Sequence, residues 1–215
     1  MIATILTLSR KDVNALRITD DYSLHRVVYS LFEDVRSEAE KQSSVPSGFL
    51  FADKGGDAKG RRILILSDRP PLQPAHGTLS ASWTIPDEFL QHRFYKFEVT
   101  LNPTRKEPKS EGRKNSRCIP IKTREEVAAW FGGKSLASWG FSVDPARLDV
   151  RMLPVMQFSK QDDRPVTHGA ARVSGMLRVE NRDLFIDSFN KGIGRGRAFG
   201  FGLLQIEPLK DDSNH

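Results

Sequence analysis

The sequence predicts an α+β fold on three observations. Short runs that alternate apolar and polar residues mark strands. A few stretches with apolar residues three and four apart mark helices. The order strand, helix, strand, strand then occurs once in each half of the 215 residues. That order is the pattern of two tandem ferredoxin-like (RRM-like, βαββαβ) domains, expected at 1–86 and 92–210 with the boundary between about 86 and 92.

Each element has its own signal. Residues 2–8 alternate as a first strand; the opening M-I-A-T-I-L-T-L has no leading positive region and is too short for a signal peptide or a membrane span. Residues 23–41 carry the clearest helical period, with Leu24, Val27, Val28, Leu31, Phe32, Val35 and Ala39 on one face and Asp20, Asp21 or Ser23 as N-cap. G-F-L-F-A-D at 48–53 reads as a second strand, K-G-G-D-A-K-G-R as a turn and R-I-L-I-L-S at 62–67 as a third, after which Pro70, Pro71 and Pro74 break the pattern. Strands are expected at 78–85 and 93–101, the latter opening the second unit. R-C-I-P-I, a helix at 123–131, one or two strands within 148–158, a strand at 171–179, a helix at 181–190 and a closing strand at 200–207 complete the chain. The polar tail P-L-K-D-D-S-N-H is expected to fray.

Charge is concentrated in one place. The formal net charge is +6, and the segment from Arg105 to Arg124 alone carries it, with eight cations (Arg105, Lys106, Lys109, Arg113, Lys114, Arg117, Lys122, Arg124) against Glu107 and Glu111. Such a block is often only a solvated loop. Set beside a second basic cluster near the C-terminus, it points to an anionic polymer, nucleic acid or an acidic membrane, and reads as a mobile basic arm. The single cysteine, Cys118, excludes an internal disulfide and a cysteine-rich zinc site, and fits a cytoplasmic location. The five histidines show no ligand spacing, so no metal is expected.

The second cluster is K-G-I-G-R-G-R-A-F-G-F-G, from Lys191 to Gly202, with five glycines and three cations in twelve residues. Glycine allows close backbone approach, and Arg195 and Arg197 suit an anion. The segment runs from helix to strand, whereas a dinucleotide fingerprint leaves a strand and opens a helix. The third glycine that fingerprint needs is Arg197. Gly133-Lys134-Ser135 mimics the end of a P-loop, but Ala128 stands where its first glycine belongs. No nucleotide cofactor is expected.

His25 lies in D-D-Y-S-L-H-R-V-V-Y, in the first turn of the predicted helix, with Tyr29 one turn on and Arg26 beside it. The helix N-terminus can hold a phosphate and lowers the imidazole pKa, while a bound phosphate raises it. A histidine titrating near neutrality against a phosphodiester suits general acid–base work on RNA. An isolated histidine is more often a packing residue, and Tyr22 can simply staple the helix start. The glycine-rich loop is what tips the balance toward chemistry.

These residues carry a resemblance. G-I-G-R-G-R-A-F-G-F-G-L-L resembles the G-h-G-x5-G-h-G signature (h apolar) of the repeat-associated CRISPR protein superfamily, met at Gly192, Gly194, Gly200 and Gly202. With D-Y-S-L-H-R at 21–26, L-N-P-T-R at 101–105, R-C-I-P-I at 117–121 and V-S-G-M-L-R-V at 173–179, the chain resembles the CasE family over nearly its whole length. The resemblance implies a tandem ferredoxin-like fold and a metal-independent endoribonuclease. Its implied partners are a CRISPR repeat RNA stem-loop and the other Cascade subunits, with no membrane. It implies cleavage on the 3′ side of the stem by attack of the 2′-hydroxyl, leaving a 2′,3′-cyclic phosphate and a 5′-hydroxyl.

By the same resemblance His25 and Tyr22 are catalytic, and Arg26 is a nearby cation suited to stabilise the phosphorane. RNA contacts fall to Lys191, Gly192, Gly194, Arg195, Gly196 and Arg197. A β-hairpin within 156–173 adds Lys160, Arg164 and Arg172. The chain departs from the family by carrying arginine rather than lysine at 197, which keeps the charge, and the bulky Phe201, expected to point into the core. Two rivals are weighed: a non-catalytic RNA-binding subunit of the same superfamily, which needs no His25, and a metal-dependent nuclease, which needs clustered carboxylates where these are scattered.

Overall fold

The computed structural model describes residues 1–42, 46–57, 60–107, 118–159 and 165–209. The alternation at the N-terminus becomes β1 (Ile2–Leu8), which lies between two partner strands. Helix α1 (Arg10–Ala15) follows directly, set by a capping box in which Ser9 and Asp12 satisfy each other's backbone N–H groups. It was not anticipated from sequence, although S-R-K-D is its signature.

Next come α2 (Asp21–Tyr29), the short α3 (Glu38–Gln42), β2 (Phe49–Asp57), β3 (Gly60–Ser67) and β4 (Thr78–Thr84). The sheet order is β2-β3-β1-β4, antiparallel throughout. This is a ferredoxin-like half in which the proline-bearing segment 68–77 replaces the second helix.

The single helix expected over 23–41 is broken. After Ser30 the backbone tightens, with Leu31 N–H bonding Val28 O at 3.1 Å and Phe32 N–H bonding Tyr29 O at 3.2 Å. The Leu31 carbonyl is then taken by the Leu72 N–H at 2.7 Å, so a long-range bond replaces the next helical one. Burial follows the break: Leu24, Val28, Leu31 and Phe32 are buried under sheet one, while Val35 is 68% exposed. Periodicity alone could not see the competing partner from the proline segment.

The second half runs β5 (Phe94–Leu101), β6 (Thr104–Lys106), β7 (Cys118–Pro120), α4 (Arg124–Ser138), β8 (Phe141–Val143), β9 (Asp149–Ser159), β10 (Pro165–Val179), α5 (Arg182–Lys191) and β11 (Gln205–Pro208). Its sheet order, β11-β5-β10-β8, is the same ferredoxin-like order with both helices present. β6 and β7 pair into a separate ribbon on either side of the basic run, whose residues 108–117 lie outside the described residues. Gly133 to Ser135 sit inside α4, which rules out a P-loop conformation there.

β9 pairs with β10 from Asp149–Ser174 out to Ser159–Pro165, whereas β5 pairs with β10 only over Ala171–Arg178. The outer part of the β9–β10 hairpin therefore projects past the sheet. The expected hairpin is present, and Lys160 and Arg164 lie outside the described residues.

Two hydrophobic clusters hold the molecule. One fills the space between sheet one and α2, with Leu6, Leu8, Leu24, Val28, Phe49, Phe51 and Ile63. The other begins under α4 and α5 with Phe97, Phe131, Phe141 and Phe185 and continues into the opposite face of sheet one through Leu50, Ala52 and Leu66. The halves thus share a core. Arg182 adds a clamp by donating to the carbonyls of Leu90, Gln91 and His92, at 2.5 to 3.0 Å. Among the described residues no helix is long and apolar enough to cross a membrane.

Candidate active site and RNA-facing clefts

Asp20 is the N-cap that positions the histidine. Its carboxylate accepts from Ser23 N–H at 2.7 Å, while Ser23 Oγ accepts from the N–H groups of Asp20 and Thr19, both at 3.0 Å. The box fixes the first turn of α2 and sets Tyr22, His25 and Tyr29 in line, one turn after another. The His25 ring lies 6.2 Å from the Tyr22 ring and meets Tyr29 edge-on at 4.8 Å. Arg26 is exposed, next along the helix.

The glycine-rich loop closes over this helix. Residues Arg197–Phe199 form a single 3-10 turn between Gly196 and Gly200, both left-handed at φ 80° and 81°. From that turn the Phe199 ring stands 5.8 Å from His25, and the Ala198 carbonyl accepts a hydrogen bond from the imidazole. Burial lowers the His25 pKa below its usual value and outweighs the Ala198 carbonyl, which raises it. His25 Nδ1 is buried and makes no hydrogen bond, so the bond to the Ala198 carbonyl comes from Nε2, the nitrogen that faces the glycine-rich turn. Sequence reasoning set the helix dipole against a phosphate; desolvation by the loop is the force it could not see.

The loop's glycines serve packing. A Cβ at Gly202, where φ is 82°, would stand 2.2 Å from the Ile193 carbonyl oxygen, which accepts no room for a side chain. At Gly192 it would meet Leu50 of sheet one at 2.8 Å. Phe201 is buried, as expected. The loop is thereby pressed onto the first half, and strand β11 starts only at Gln205. Its cations are dispersed. Arg195 is exposed and reaches Cys118 Sγ at 2.6 Å, Arg197 donates to the Lys191 carbonyl at 2.8 Å, and Lys191 pairs with Asp187 at 2.6 Å.

Two clefts meet at this turn. The wider, about 880 Å³, runs between the loop, the β6–β7 ribbon and the base of the β9–β10 hairpin, with Arg195, Gly196, Phe199, Lys122 and Met152 on its walls. The narrower, about 420 Å³, opens on the other side between the loop and Tyr29, Arg36, Lys41, Phe49, Lys191, Arg197 and Ala198. Gly196 lines both, and His25 lies beneath the divide through its contacts with Ala198 and Phe199. Arg26 stands outside the walls of both clefts, and Arg172 lies on β10 with a buried Nε lacking a hydrogen-bond partner.

Arg36 is the site residue that sequence reasoning missed. Its guanidinium donates to the Tyr29 hydroxyl and to Asp34, the latter at 2.8 and 3.0 Å, and that bond from Arg36 holds the Asp34 carboxyl at about 2. In an unbroken helix Tyr29 and Arg36 would be two turns apart, and only the break brings them together. Among the described residues no cluster of three or more His, Cys, Asp or Glu could hold a metal ion.

A tandem ferredoxin-like fold with a half-buried histidine beneath a glycine-rich loop, flanked by basic clefts, points to the class of RNA-handling proteins with this fold. Within it, residues 1–208 match the family model described as CRISPR associated protein, and the chain belongs to that family. It is 24% identical over 197 residues to the Cascade subunit CasE of Escherichia coli K12, covering 88% of this chain and 93% of that one. Among solved structures, a CRISPR endoribonuclease Cse3 bound to 19 nt RNA aligns with TM-score 0.75 and 18% identity, covering 97% and 100% of the two chains. Thermus thermophilus Cse3 bound to an RNA representing a pre-cleavage complex aligns with TM-score 0.72, at 18% identity, covering 96% and 98%.

Proposed function

We propose that the protein is a CRISPR repeat-RNA endoribonuclease that binds a stem-loop, cuts on its 3′ side and remains with the product as a Cascade subunit. The single observation that carries this reading is the placement of His25 beneath the glycine-rich turn, between two basic clefts. The relatives named as an endoribonuclease with bound RNA and as a Cascade subunit support the substrate class and the partners.

In this reading the stem lies in the wider cleft, its phosphates met by Arg195 and the hairpin cations Lys160, Arg164 and Arg172, while Lys191 and Arg197 meet RNA from the narrower cleft. Shape and phosphate contacts dominate because the major groove of A-form RNA is deep and narrow. The scissile phosphate rests over the Arg197–Phe199 turn. The 2′-hydroxyl before the cut attacks its own phosphorus in line, its O–P bond forming as the bond to the 5′-oxygen breaks. The lowered pKa keeps His25 neutral at pH 7, as a proton acceptor must be. Substrate displaces the Ala198 carbonyl from Nε2, the ring's proton shifts to Nδ1, and Nε2 then accepts the 2′-hydroxyl proton. The 5′-oxygen leaves with a proton from Tyr22 or water. Tyr22 positions the nucleotide or shares a proton, and Arg26 and the loop cations offset charge on the phosphorane. The products are a 2′,3′-cyclic phosphate and a 5′-hydroxyl, with no metal required.

Cleavage of a cognate repeat hairpin in EDTA tests the assignment. Wild type is expected to cut, His25→Ala to lose the activity, and a 2′-deoxy nucleotide before the cut to block it. Cutting of the deoxy substrate would mean an activated water, and undiminished cutting by His25→Ala would remove the histidine from the mechanism. Binding without cutting by wild type would favour the non-catalytic subunit.

A further inference from the structure

The narrower cleft is left over once the stem is placed, and its walls have a chemistry of their own. Arg36, Lys41, Lys191 and Arg197 supply four cations, and Tyr29 supplies aromatic surface, held edge-on by the buried Phe49 at 5.1 Å. Cations interleaved with aromatics are what a single strand uses, since phosphates meet the first and bases stack on the second. The volume, about 420 Å³, is that of a small-ligand pocket, enough for roughly a nucleotide and too small for a duplex.

Most of its acids are open to water. Asp34, which holds Arg36, lies 3.8 Å from Lys41. Glu38, which holds Lys41, is 82% exposed, and Asp187, which holds Lys191, is 57% exposed. Ion pairs so open to water are weak, so a phosphate can recruit both lysines. Arg36 is different, held by Asp34 and Tyr29, and it fixes the Tyr29 ring against His25.

Continuity with the cutting site decides the occupant. Gly196 lines both clefts, and the turn that separates them carries the Ala198 carbonyl bonded to His25. A strand that leaves a stem in the wide cleft and crosses the turn enters the narrow one. We propose that the narrow cleft is a single-strand subsite that binds the first nucleotides beyond the cut, holding their phosphates with Lys41, Lys191, Arg36 and Arg197. This rests on the repeat-RNA reading, in which the stem precedes the cut. The subsite would align the 5′-oxygen leaving group by gripping the segment it belongs to.

The test uses uncleavable stem-loops with a 2′-deoxy nucleotide before the cut, with and without four nucleotides after it. The flanked RNA is expected to bind wild type about fivefold tighter than the unflanked one. Lys41→Glu, an exposed change outside the stem-binding surface, is expected to erase that advantage while leaving unflanked binding unchanged. A neutral methylphosphonate at the first phosphate beyond the cut should cost wild type the same factor and cost Lys41→Glu little, as coupled partners do. Equal binding of both RNAs by wild type, or an advantage that survives in Lys41→Glu, overturns the subsite. Failure of wild type to bind the unflanked stem-loop would instead remove the repeat-RNA reading beneath it.

Discussion

The two halves share a sheet order and differ in what surrounds it. The second half keeps both crossover helices, α4 and α5, and extends its middle strands into a hairpin that projects past the sheet. The first half lacks its second helix, and the proline segment in that place reaches across to end α2 through the Leu72–Leu31 bond. One half is a platform with surface to offer a long anion; the other is a short helix that presents a histidine. Neither holds a complete site. The glycine-rich loop of the second half folds onto Leu50 and the helix of the first, and only there does His25 acquire its buried environment. In the proposed mechanism chemistry and recognition are divided between the halves, and one loop joins them.

The comparison breaks most sharply at His25. His25→Ala is expected to lower cleavage by about 10²- to 10⁴-fold, the range of a general acid–base group, while hairpin affinity stays within about twofold. Single-turnover rates and equilibrium binding on one RNA check both parts. A matching loss of affinity would place recognition in the first half too, and the division would fail.

The joining loop comes next. Gly202→Ala puts a methyl group against the Ile193 carbonyl in a left-handed conformation, at an expected cost of about 2–4 kcal/mol in unfolding free energy. Thermal melting reads the loss. Because the loop buries His25, the same variant should raise the histidine pKa toward its ordinary value, visible by NMR titration. A melting temperature unchanged from wild type would show that the loop is less fixed than its packing implies.

The lowered pKa has a pH signature. The His25 pKa in the folded protein lies below the unfolded 6.5, so the neutral ring prevails above that value. With His25 as base, kcat/KM should hold at pH 7 and fall about tenfold per unit on the acid side, with a midpoint below 6.5. The linkage has the same direction: the stability contributed by the buried neutral ring is present above pH 6.5 and is lost as pH falls through the folded pKa. A limb centred above 6.5 would mean that bound phosphate, not burial, sets the ring. Smaller again is Arg195→Ala, which should weaken hairpin binding about threefold and reduce the log–log salt slope by about 0.7–0.9, as loss of one phosphate contact does.

What was legible in the sequence follows the range of the forces involved. Strand alternation, the α5 period and the glycine spacing are local, and each corresponds to an element of the structure. His25 and the loop were paired by their shared suitability for a phosphate and then by the family resemblance, since 170-odd residues separate them and no periodicity links them. Arg36 was hidden for a sharper reason. Residues 23–41 satisfy a helical pattern, and the break comes from Leu72, a residue with no local signal at all. The burial that lowers the His25 pKa is likewise tertiary, so a sequence argument that set the helix dipole against a bound phosphate left the direction open.

The smallest prediction bears on what holds the halves together. Lys54 of β2 reaches Glu98 of β5 and Gln205 of β11, each at 2.7 Å, and is a polar tie between the two sheets. Its side chain is 39% exposed and that of Glu98 34%, so solvent screens the pair. Lys54→Met should therefore cost only about 0.5 kcal/mol. Leu50→Ala, in the apolar core that the halves share, should cost about 2–5 kcal/mol by leaving a cavity. Denaturant unfolding of the two variants orders them. If Lys54→Met proved the more damaging, the tie would be electrostatic and the shared core a bystander. The expected order instead makes apolar burial the reason the loop stays seated on α2, and so the reason a histidine in one half is tuned by the other.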